Sequence, residues 1–192
     1  MAKDWALLEA LKKGTGGPVV RLYSWNQTCI TVGFGLSVEK VLAKGFGWPV
    51  ARRPTGGGLV VHEPKGEVTL AAASWRPRGK SLNDLYRMVH EPIFWALREL
   101  GYPVLMITGC VAEPTKNVLP VCFDDAPCLY DGVLAGKKVL GGGLRVAGQY
   151  FLYQGTIKIP LLTQRTLFAK LKECPLWDSG FLQEEPAVAL FH

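Results

Sequence analysis

Residues 52–62 read Arg52-Arg53-Pro54-Thr55-Gly56-Gly57-Gly58-Leu59-Val60-Val61-His62, and this stretch says most about how the chain folds and what it binds. Three successive glycines favour positive φ and let backbone N–H groups lie close to a bound group. The two arginines before them can bind an anion through paired hydrogen bonds. The stretch suits a phosphate, an adenylate, a pantetheine arm or a carboxylate. A tight glycine hairpin between two strands, with surface arginines, is the alternative interpretation.

A second glycine-rich block begins at Gly136-Lys137-Lys138 and ends at Gly141-Gly142-Gly143. A lysine at the head of such a strand can place an ammonium group beside a site where backbone approaches a ligand. There it can stabilise an oxyanion, or act as a base if its pKa falls. The alternative is a hairpin turn with solvated lysines.

The third block begins at Cys122-Phe123 and continues into a loop rich in Asp and Pro. A cysteine beside such a loop can be exposed and nucleophilic, although a small buried residue is the commoner role. The chain has five cysteines, an odd number without the dense spacing of a disulfide scaffold, so we expect free thiols. Cys122 and Cys128 lack a second pair that would complete a zinc site, and no metal is expected.

Length and composition predict one globular domain, or one domain with a small appendage. The chain has 192 residues, of which 48% are hydrophobic and 20% charged, so it can bury a sizeable core. No apolar run reaches the roughly 18 residues of a membrane span, and the N-terminus is not a signal peptide. A cytoplasmic protein that binds no membrane is the expectation.

The net charge of +6 favours an acidic partner. The basic residues are scattered and no nucleic-acid-binding signature is present, so an acidic protein is preferred over nucleic acid.

Hydrophobic periodicity and turn residues predict an irregular mixture of helices and strands. Helices are predicted at Asp4–Lys13, Ser37–Lys44, Ser81–Leu100 and Thr163–Lys172. Strands are predicted at Pro18–Trp25, Cys29–Phe34, Val50–Arg53, Leu59–His62, Glu67–Trp75, Val104–Ile107, Leu119–Phe123, Gly132–Leu134, Lys138–Arg145 and Tyr150–Ile159. Because strands and helices do not alternate strictly, the pattern indicates an α+β domain with a mixed, mostly antiparallel sheet flanked by helices.

Two details of the longest predicted helix can be tested. Ser81 and Asp84 form a capping box with Asp in place of Glu. Pro92 lies inside the helix and should kink or split it. His90, on the same helix, has no expected role beyond a surface or helix position.

Taken together, the three blocks resemble the superfamily of lipoate–protein ligases, octanoyltransferases and biotin–protein ligases. The stretch Arg52 to His62 resembles the family's pocket block, Lys138 matches its near-invariant lysine, and Gly155-Thr156-Ile157 resembles the strand that follows. The resemblance implies a mixed sheet flanked by helices. It also implies a single catalytic domain over residues 1–192 without the separate C-terminal accessory domain of the ligases, for which there is little room after residue 175. It also implies a pocket lined by Arg53, Thr55, Gly56, Gly57, Gly58, His62, Gly141, Gly142, Gly143 and Gly155.

The resemblance implies attachment of an octanoyl or lipoyl group to a lysine of a lipoyl domain, in a 2-oxoacid dehydrogenase or the glycine cleavage H protein. In one transferase branch a Cys-Phe motif upstream of the lysine supplies the nucleophile, and Cys122 matches it. In the other branch the cysteine follows the lysine, which makes Cys174 the second choice. The transferase takes the acyl group from acyl-carrier protein and needs no cofactor, whereas a ligase activates octanoate or lipoate with ATP and Mg²⁺.

The sequence departs from the family pattern at two sites. Gly141-Gly142-Gly143 stands where Gly-Ser-Ala is usual, and Gln154 stands where a His is usual. A transferase through Cys122 and Lys138 is the first hypothesis and an ATP-dependent ligase is the second. A non-catalytic module that binds lipoyl domains or acyl carriers is the third.

Overall fold

The computed structural model describes residues 1–109, 121–124 and 127–177. Its helices are α1 (Ala2–Lys12), α2 (Val38–Leu42), α3 (Leu82–Glu99) and α4 (Gln164–Glu173). Its strands are β1 (Val19–Tyr23), β2 (Cys29–Val32), β3 (Val50–Arg52), β4 (Leu59–His62), β5 (Glu67–Trp75), β6 (Leu105–Met106), β7 (Gly132–Leu134), β8 (Lys137–Ala147) and β9 (Tyr150–Lys158).

The strands form two sheets. The large sheet has the order β1-β5-β9-β8-β7-β6, and all its neighbours are antiparallel. The small sheet has the order β3-β2-β4, in which β2 and β3 are parallel and β2 and β4 antiparallel. The predicted α+β fold with a mixed, mostly antiparallel sheet is confirmed.

Helices cover both faces of the large sheet. Alternate residues of β5 point to opposite faces, as a strand requires. Leu70 and Ala72 pack in the main core with α3 and α4, whereas Ala73 packs with Leu8 and Leu11 of α1. Burial on both faces explains why the first eight residues of β5 are all buried. None of the described helices is long and apolar enough to cross a membrane.

Helix α3 begins as predicted but does not break. The Ser81 hydroxyl accepts from the Asp84 N–H, and the Asp84 carboxylate accepts from the Ser81 N–H, so the capping box is present. The helix continues through Pro92 to Glu99, and the split that this proline could cause does not occur. Eight residues of the helix, Pro92 among them, are buried. Their packing offsets the hydrogen bond lost at Pro92, which costs about 3 kcal/mol or more.

The strand predicted at Leu119–Phe123 is wrong where the structure describes it. Leu119 and Pro120 lie outside the described residues. Val121 forms an isolated parallel bridge with Leu59, and Cys122 to Asp124 form a turn. The apolar residues before Asp124 favour a strand, but Asp124 itself favours a turn.

His90 is buried in the core, which the sequence did not predict. Its Nδ1 lies 2.7 Å from the Tyr130 carbonyl oxygen and its Nε2 lies 2.6 Å from the Tyr153 hydroxyl. Because a carbonyl only accepts, Nδ1 carries the proton and Nε2 accepts from Tyr153. Burial lowers the pKa of His90 to about 4. The neutral ring therefore joins α3 to β9 and to the turn before β7.

We expect acid to destabilise the protein through His90. Below its ordinary pKa of 6.5 the unfolded chain binds a proton that the folded protein refuses until about pH 4. The unfolded state thus binds more protons in this window, so the free energy of unfolding falls as pH falls, by up to roughly 3 kcal/mol.

Urea unfolding of wild type and His90→Asn between pH 7 and pH 4 measures this effect. The variant lacks the titrating imidazole at position 90, so its free energy of unfolding should fall less steeply as the pH falls. Buried His62 still contributes to the decline in both proteins. Equal slopes in the two proteins would contradict the assignment.

Candidate active site

The glycine loop between β3 and β4 joins the small sheet to the large one. The Gly56 N–H donates to the Leu144 carbonyl on β8 at 3.3 Å. A Cβ on Gly143 would lie 2.5 Å from the Gly56 oxygen, so a side chain at position 143 would push the loop away. The predicted glycine-rich block serves first to bring two backbones together.

Arg53 holds this loop from within. Its Nη2 donates to the carbonyls of Gly56 and Gly58 at 2.9 Å and 2.8 Å, and its Nη1 donates to Thr31 O at 3.2 Å. The side chain is buried, whereas Arg52 beside it is exposed. In this structure Arg53 binds backbone carbonyls, and Arg52 is the arginine of the pair that faces solvent.

Cys122 and Lys138 meet between the two sheets. The bridge from Val121 to Leu59, and a 2.8 Å hydrogen bond from the Cys122 N–H to the Leu59 oxygen, attach the cysteine to β4. Lys138 lies on β8, and its Nζ donates to the Cys122 Sγ at 3.3 Å. The structure thus brings together the two residues that the sequence analysis chose as catalytic.

Asp131 is the partner of Lys138 that the sequence analysis did not assign. Its Oδ2 lies 2.6 Å from Lys138 Nζ and also accepts from the Cys128 N–H at 2.6 Å. Gly141 makes room for the arrangement, because a Cβ there would lie 2.6 Å from Lys138 Cε. The side chains of Lys138 and Asp131 are only 4% and 8% exposed.

The charges around Lys138 keep it protonated. Burial by itself lowers the pKa of an amine, but the charges of Cys122 and Asp131 outweigh burial and raise the pKa of Lys138. Lys138 is therefore an ammonium at neutral pH and not a general base. This cation lies 3.3 Å from the Cys122 sulfur, where it can stabilise negative charge that develops on that atom.

His62 is also held in a buried network. Its Nε2 lies 2.8 Å from the Thr31 hydroxyl, its Nδ1 lies beside the Glu67 carboxylate, and its ring stacks on Trp25 with centroids 4.1 Å apart. Burial lowers the pKa of His62. Glu67 carries no motif that would mark it in the sequence, although it begins β5 only five residues after His62 ends β4.

A small cavity lies between these groups. Its volume is about 30 Å³, room for about one water molecule. Of the residues predicted to line a pocket, those that reach the cavity are Cys122, Arg53, Gly57, His62, Gly141, Gly142, Gly143 and Gly155. The cavity lining does not include four of the predicted site residues, Thr55, Gly56, Gly58 and Lys138.

The two departures from the family pattern each have a structural partner. Gln154 donates to Asp4 at 2.6 Å and accepts from the Thr55 hydroxyl at 2.9 Å, so it links α1 to the glycine loop. The Tyr153 ring lies over Gly142 and Gly155, where a Cβ on either glycine would overlap it. Glycine at position 142 is therefore required by the large side chain at 153.

Cys174, the second choice for the nucleophile, does not line the cavity beside Cys122. It follows the last residue of α4 and packs in the main core at 4% exposure, and burial raises the pKa of its thiol. Cys29, Cys122, Cys128 and Cys174 are all free, as the sequence predicts for these four, while Cys110 lies outside the described residues.

The two-sheet fold, with its glycine-rich loop and its buried lysine, is that of the lipoyl protein ligases and related transferases. The model of the lipoyl protein ligase A/B catalytic domain matches residues 1–171, and the chain belongs to this family.

Curated relatives and solved structures agree with this assignment. Octanoyltransferase LipM of Carboxydothermus hydrogenoformans is 30% identical over the whole of this chain, which covers 70% of that protein. Octanoyltransferases LipM from several other bacteria are 29–30% identical, and the chain spans only 60–65% of their length.

Among solved structures, lipoate-protein ligase A bound with ATP has a TM-score of 0.67 at 17% identity, with 96% of this chain and 83% of that chain covered. A bi-partite lipoate protein ligase of Thermoplasma acidophilum, studied with its E2 lipoyl domain, has a TM-score of 0.55 at 17% identity, with 91% and 68% covered. These likenesses show the shared fold.

A methyl group at position 142 should destabilise the protein because it meets Tyr153. Gly142→Ala is expected to cost roughly 1–3 kcal/mol of unfolding free energy, the usual range for overpacking. In the Tyr153→Leu background the same change should cost less, since the ring is gone. Urea unfolding of the four proteins measures the coupling. Gly35→Ala, where a Cβ meets nothing within 4 Å, is the control and should be nearly neutral. Equal costs in both backgrounds would refute the account.

Removing the ammonium should make Cys122 less reactive. Lys138→Met is expected to slow alkylation of Cys122 by iodoacetamide at pH 7 by about tenfold, because the thiolate loses its hydrogen-bonded cation. Peptide mass spectrometry follows Cys122 separately from exposed Cys128, whose rate should not change. Lys137→Met removes a neighbouring exposed charge and is the matched control. An unchanged Cys122 rate in Lys138→Met would show that the contact does not activate the thiol.

Proposed function

We propose that this chain is an octanoyltransferase that carries its acyl group on Cys122. The observation that supports this most directly is the 3.3 Å hydrogen bond from Lys138 Nζ to the Cys122 Sγ. A ligase that activates a free acid has no need of a cysteine at this position. The octanoyltransferase relatives, which match over most of this chain, support the same activity. Cys174, buried beside α4, is the less suitable nucleophile.

In the first half-reaction the Cys122 thiolate attacks the thioester carbonyl of octanoyl-acyl-carrier protein. A new carbon–sulfur bond forms, the bond to the carrier's sulfur breaks, and that sulfur leaves with the electron pair and takes up a proton. One thioester replaces another, so the enzyme's task is positioning and stabilisation of the oxyanion. The Lys138 ammonium supplies a hydrogen bond and a positive charge at the reacting centre.

In the second half-reaction a neutral lysine amine of the acceptor attacks the Cys122 thioester. An amide forms, Cys122 leaves as a thiolate, and the proton lost by the amine passes to solvent. Asp131 holds Lys138 at 2.6 Å, so the ammonium stays in place while the thiolate leaves. The acceptor in our proposal is a lipoyl domain of a 2-oxoacid dehydrogenase or the glycine cleavage H protein. The net charge of +6 suits an acidic domain.

The acyl chain needs more room than the cavity beside Cys122 offers. That cavity holds about 30 Å³, and Met1 lies in its wall. Met1 also borders a cavity of about 200 Å³ lined mainly by apolar groups, including Trp25, Cys29 and Ile30. Methionine is flexible and adapts to irregular spaces. In the proposed complex the Met1 side chain moves aside, and the octanoyl tail occupies the larger cavity.

The transferase reaction needs no cofactor, whereas the ligase alternative needs ATP and Mg²⁺. Because lipoate-protein ligase A, a structural neighbour, was solved with bound ATP, the experiment below also tests the ligase reaction. The reaction requires Cys122 as a free thiol, a state that the reducing cytoplasm maintains, and the cytoplasm is the location that we propose.

Intact mass spectrometry tests the proposal. The protein is incubated with octanoyl-acyl-carrier protein, and separately with octanoate, ATP and Mg²⁺, each with and without a lipoyl domain. We expect a hydroxylamine-sensitive octanoyl adduct on Cys122 that passes to the lipoyl domain without ATP. Cys122→Ser should lose the adduct and at least about a thousandfold in transfer rate, because the covalent route is gone. Cys128→Ser, six residues along the chain, is the matched control and should retain both.

Three outcomes would overturn the proposal. A lipoyl domain modified only with ATP, equally well by Cys122→Ser, would make the chain a ligase. An adduct that maps to Cys174 would replace the nucleophile. No modification in either tube would favour a binding module.

A further inference from the structure

An open pocket with arginine and aromatic walls lies next to the cavity of Cys122. It has a volume of about 390 Å³, and its distinctive lining residues are Trp5, Phe34, Arg52, Pro54 and Arg145. We call these five residues the arginine–aromatic pocket. Neither half-reaction as described above makes use of it.

The charge of this pocket calls for an anion. Among the described residues, its full lining contains Arg52, Arg53 and Arg145 and no Asp or Glu. Arg53 is already bonded to backbone carbonyls, so Arg52 and Arg145 remain to face a ligand. The hydrogen bond from the Ser37 hydroxyl lowers the pKa of Glu39, and the charge of Arg52 lowers it further. Arginine binds phosphate through paired, charge-assisted hydrogen bonds.

Arg145 is held in position before any ligand arrives. Its guanidinium carbon lies 5.0 Å from the Trp5 ring centroid and 4.6 Å from the Phe34 ring centroid. Its Nη1 donates to the Pro54 carbonyl at 3.3 Å. A guanidinium held between two rings loses less freedom when it binds an anion. Phe34 is 55% exposed and so is accessible to a ligand in the pocket.

The arginine–aromatic pocket adjoins the catalytic cavity. Met1 and Arg53 line both, and Arg145 lies on β8 two residues beyond Gly143 of the cavity wall. One ligand can therefore place a reactive group at Cys122 and an anion at Arg145. The donor of the proposed reaction has this form, since its thioester is joined to the carrier through a pantetheine arm that ends in a phosphate.

We propose that Arg52 and Arg145 bind the phosphate of the acyl donor's pantetheine arm. The inference rests on the proposed function, because it names a second contact between the enzyme and the acyl donor. It makes the two arginines determinants of donor specificity: they distinguish a phosphorylated arm from a bare one. A nucleotide presents the same phosphate chemistry, and the experiment separates the two sources.

The first measurement compares two donors that differ by one phosphate. Octanoyl-pantetheine and octanoyl-4′-phosphopantetheine are each used to acylate Cys122, followed by intact mass spectrometry. Wild type should prefer the phosphorylated donor in kcat/KM by at least about tenfold, as charge-assisted hydrogen bonds imply. Arg145→Met and Arg52→Met should each reduce this ratio towards one, and Arg145→Lys should retain part of it. Arg78→Met removes an exposed charge outside the pocket and should keep the wild-type ratio.

The second measurement needs no activity. Isothermal titration calorimetry compares pantetheine, 4′-phosphopantetheine and ATP for wild type, Arg52→Met and Arg145→Met. Wild type should bind 4′-phosphopantetheine at least about tenfold more tightly than pantetheine, and the variants should lose the difference. Since Arg52 is exposed, its variant tests the pocket without disturbing the core.

The outcomes separate this inference from the proposed function. No acylation from either donor, with tight and arginine-dependent binding of 4′-phosphopantetheine, would refute the reaction and retain the pocket. Equal binding of pantetheine and 4′-phosphopantetheine, or a donor ratio unchanged in both variants, would overturn the pocket whatever the activity. Loss of ATP binding alone in the arginine variants would assign the pocket to a nucleotide phosphate and overturn the donor arm.

Discussion

The site depends on one close approach of backbone to backbone. Gly56 of the loop after β3 lies against Gly143 of β8, where even a methyl group would come within 2.5 Å of the Gly56 oxygen. This contact places the small sheet on the large one. Cys122 is attached to the small sheet through Leu59, and Lys138 belongs to the large sheet. The distance between the Cys122 sulfur and the Lys138 ammonium is thus set by how the two sheets pack.

The electrostatics of the site follow from burial. Lys138 is nearly inaccessible to water, and an unpaired ammonium in such a place would lose its proton. Asp131 and Cys122 reverse that tendency and keep it charged. Because the surroundings exclude water, the charge acts strongly on the sulfur beside it. Breaking such a pair by removing one partner is expensive, which makes Lys138 both a structural and a chemical element.

The substitutions that depart from the family pattern are coupled to each other through packing. Tyr153 fills the space over Gly142 and Gly155 and donates its hydroxyl to His90. Gln154 joins Asp4 to Thr55, so the position after Tyr153 anchors α1 to the glycine loop. The Tyr153 ring fills the space that side chains at positions 142 and 155 would otherwise occupy. The altered residues thus maintain the pocket in a different way.

Local sequence determined the elements. Periodicity, the Ser81 capping box and the glycine turns predicted nearly every helix and strand. Three blocks in the right order made Cys122, Lys138 and the glycine loop the candidate site, and the structure brings Cys122 and Lys138 into contact. The strand predicted around Cys122 and the split at Pro92 were wrong, because packing and turn formation outweighed local preference there.

Only the tertiary structure decided which side chains meet. Asp131 on Lys138, His90 on Tyr153, Glu67 on His62 and Arg145 between two rings carry no motif of their own. The Thr55 to Gln154 contact joins residues 99 apart in the chain. Periodicity reports which face of an element is buried, and not which distant residue it faces. Those contacts form when helices, strands and loops pack in three dimensions, and a single sequence does not encode them in any local pattern.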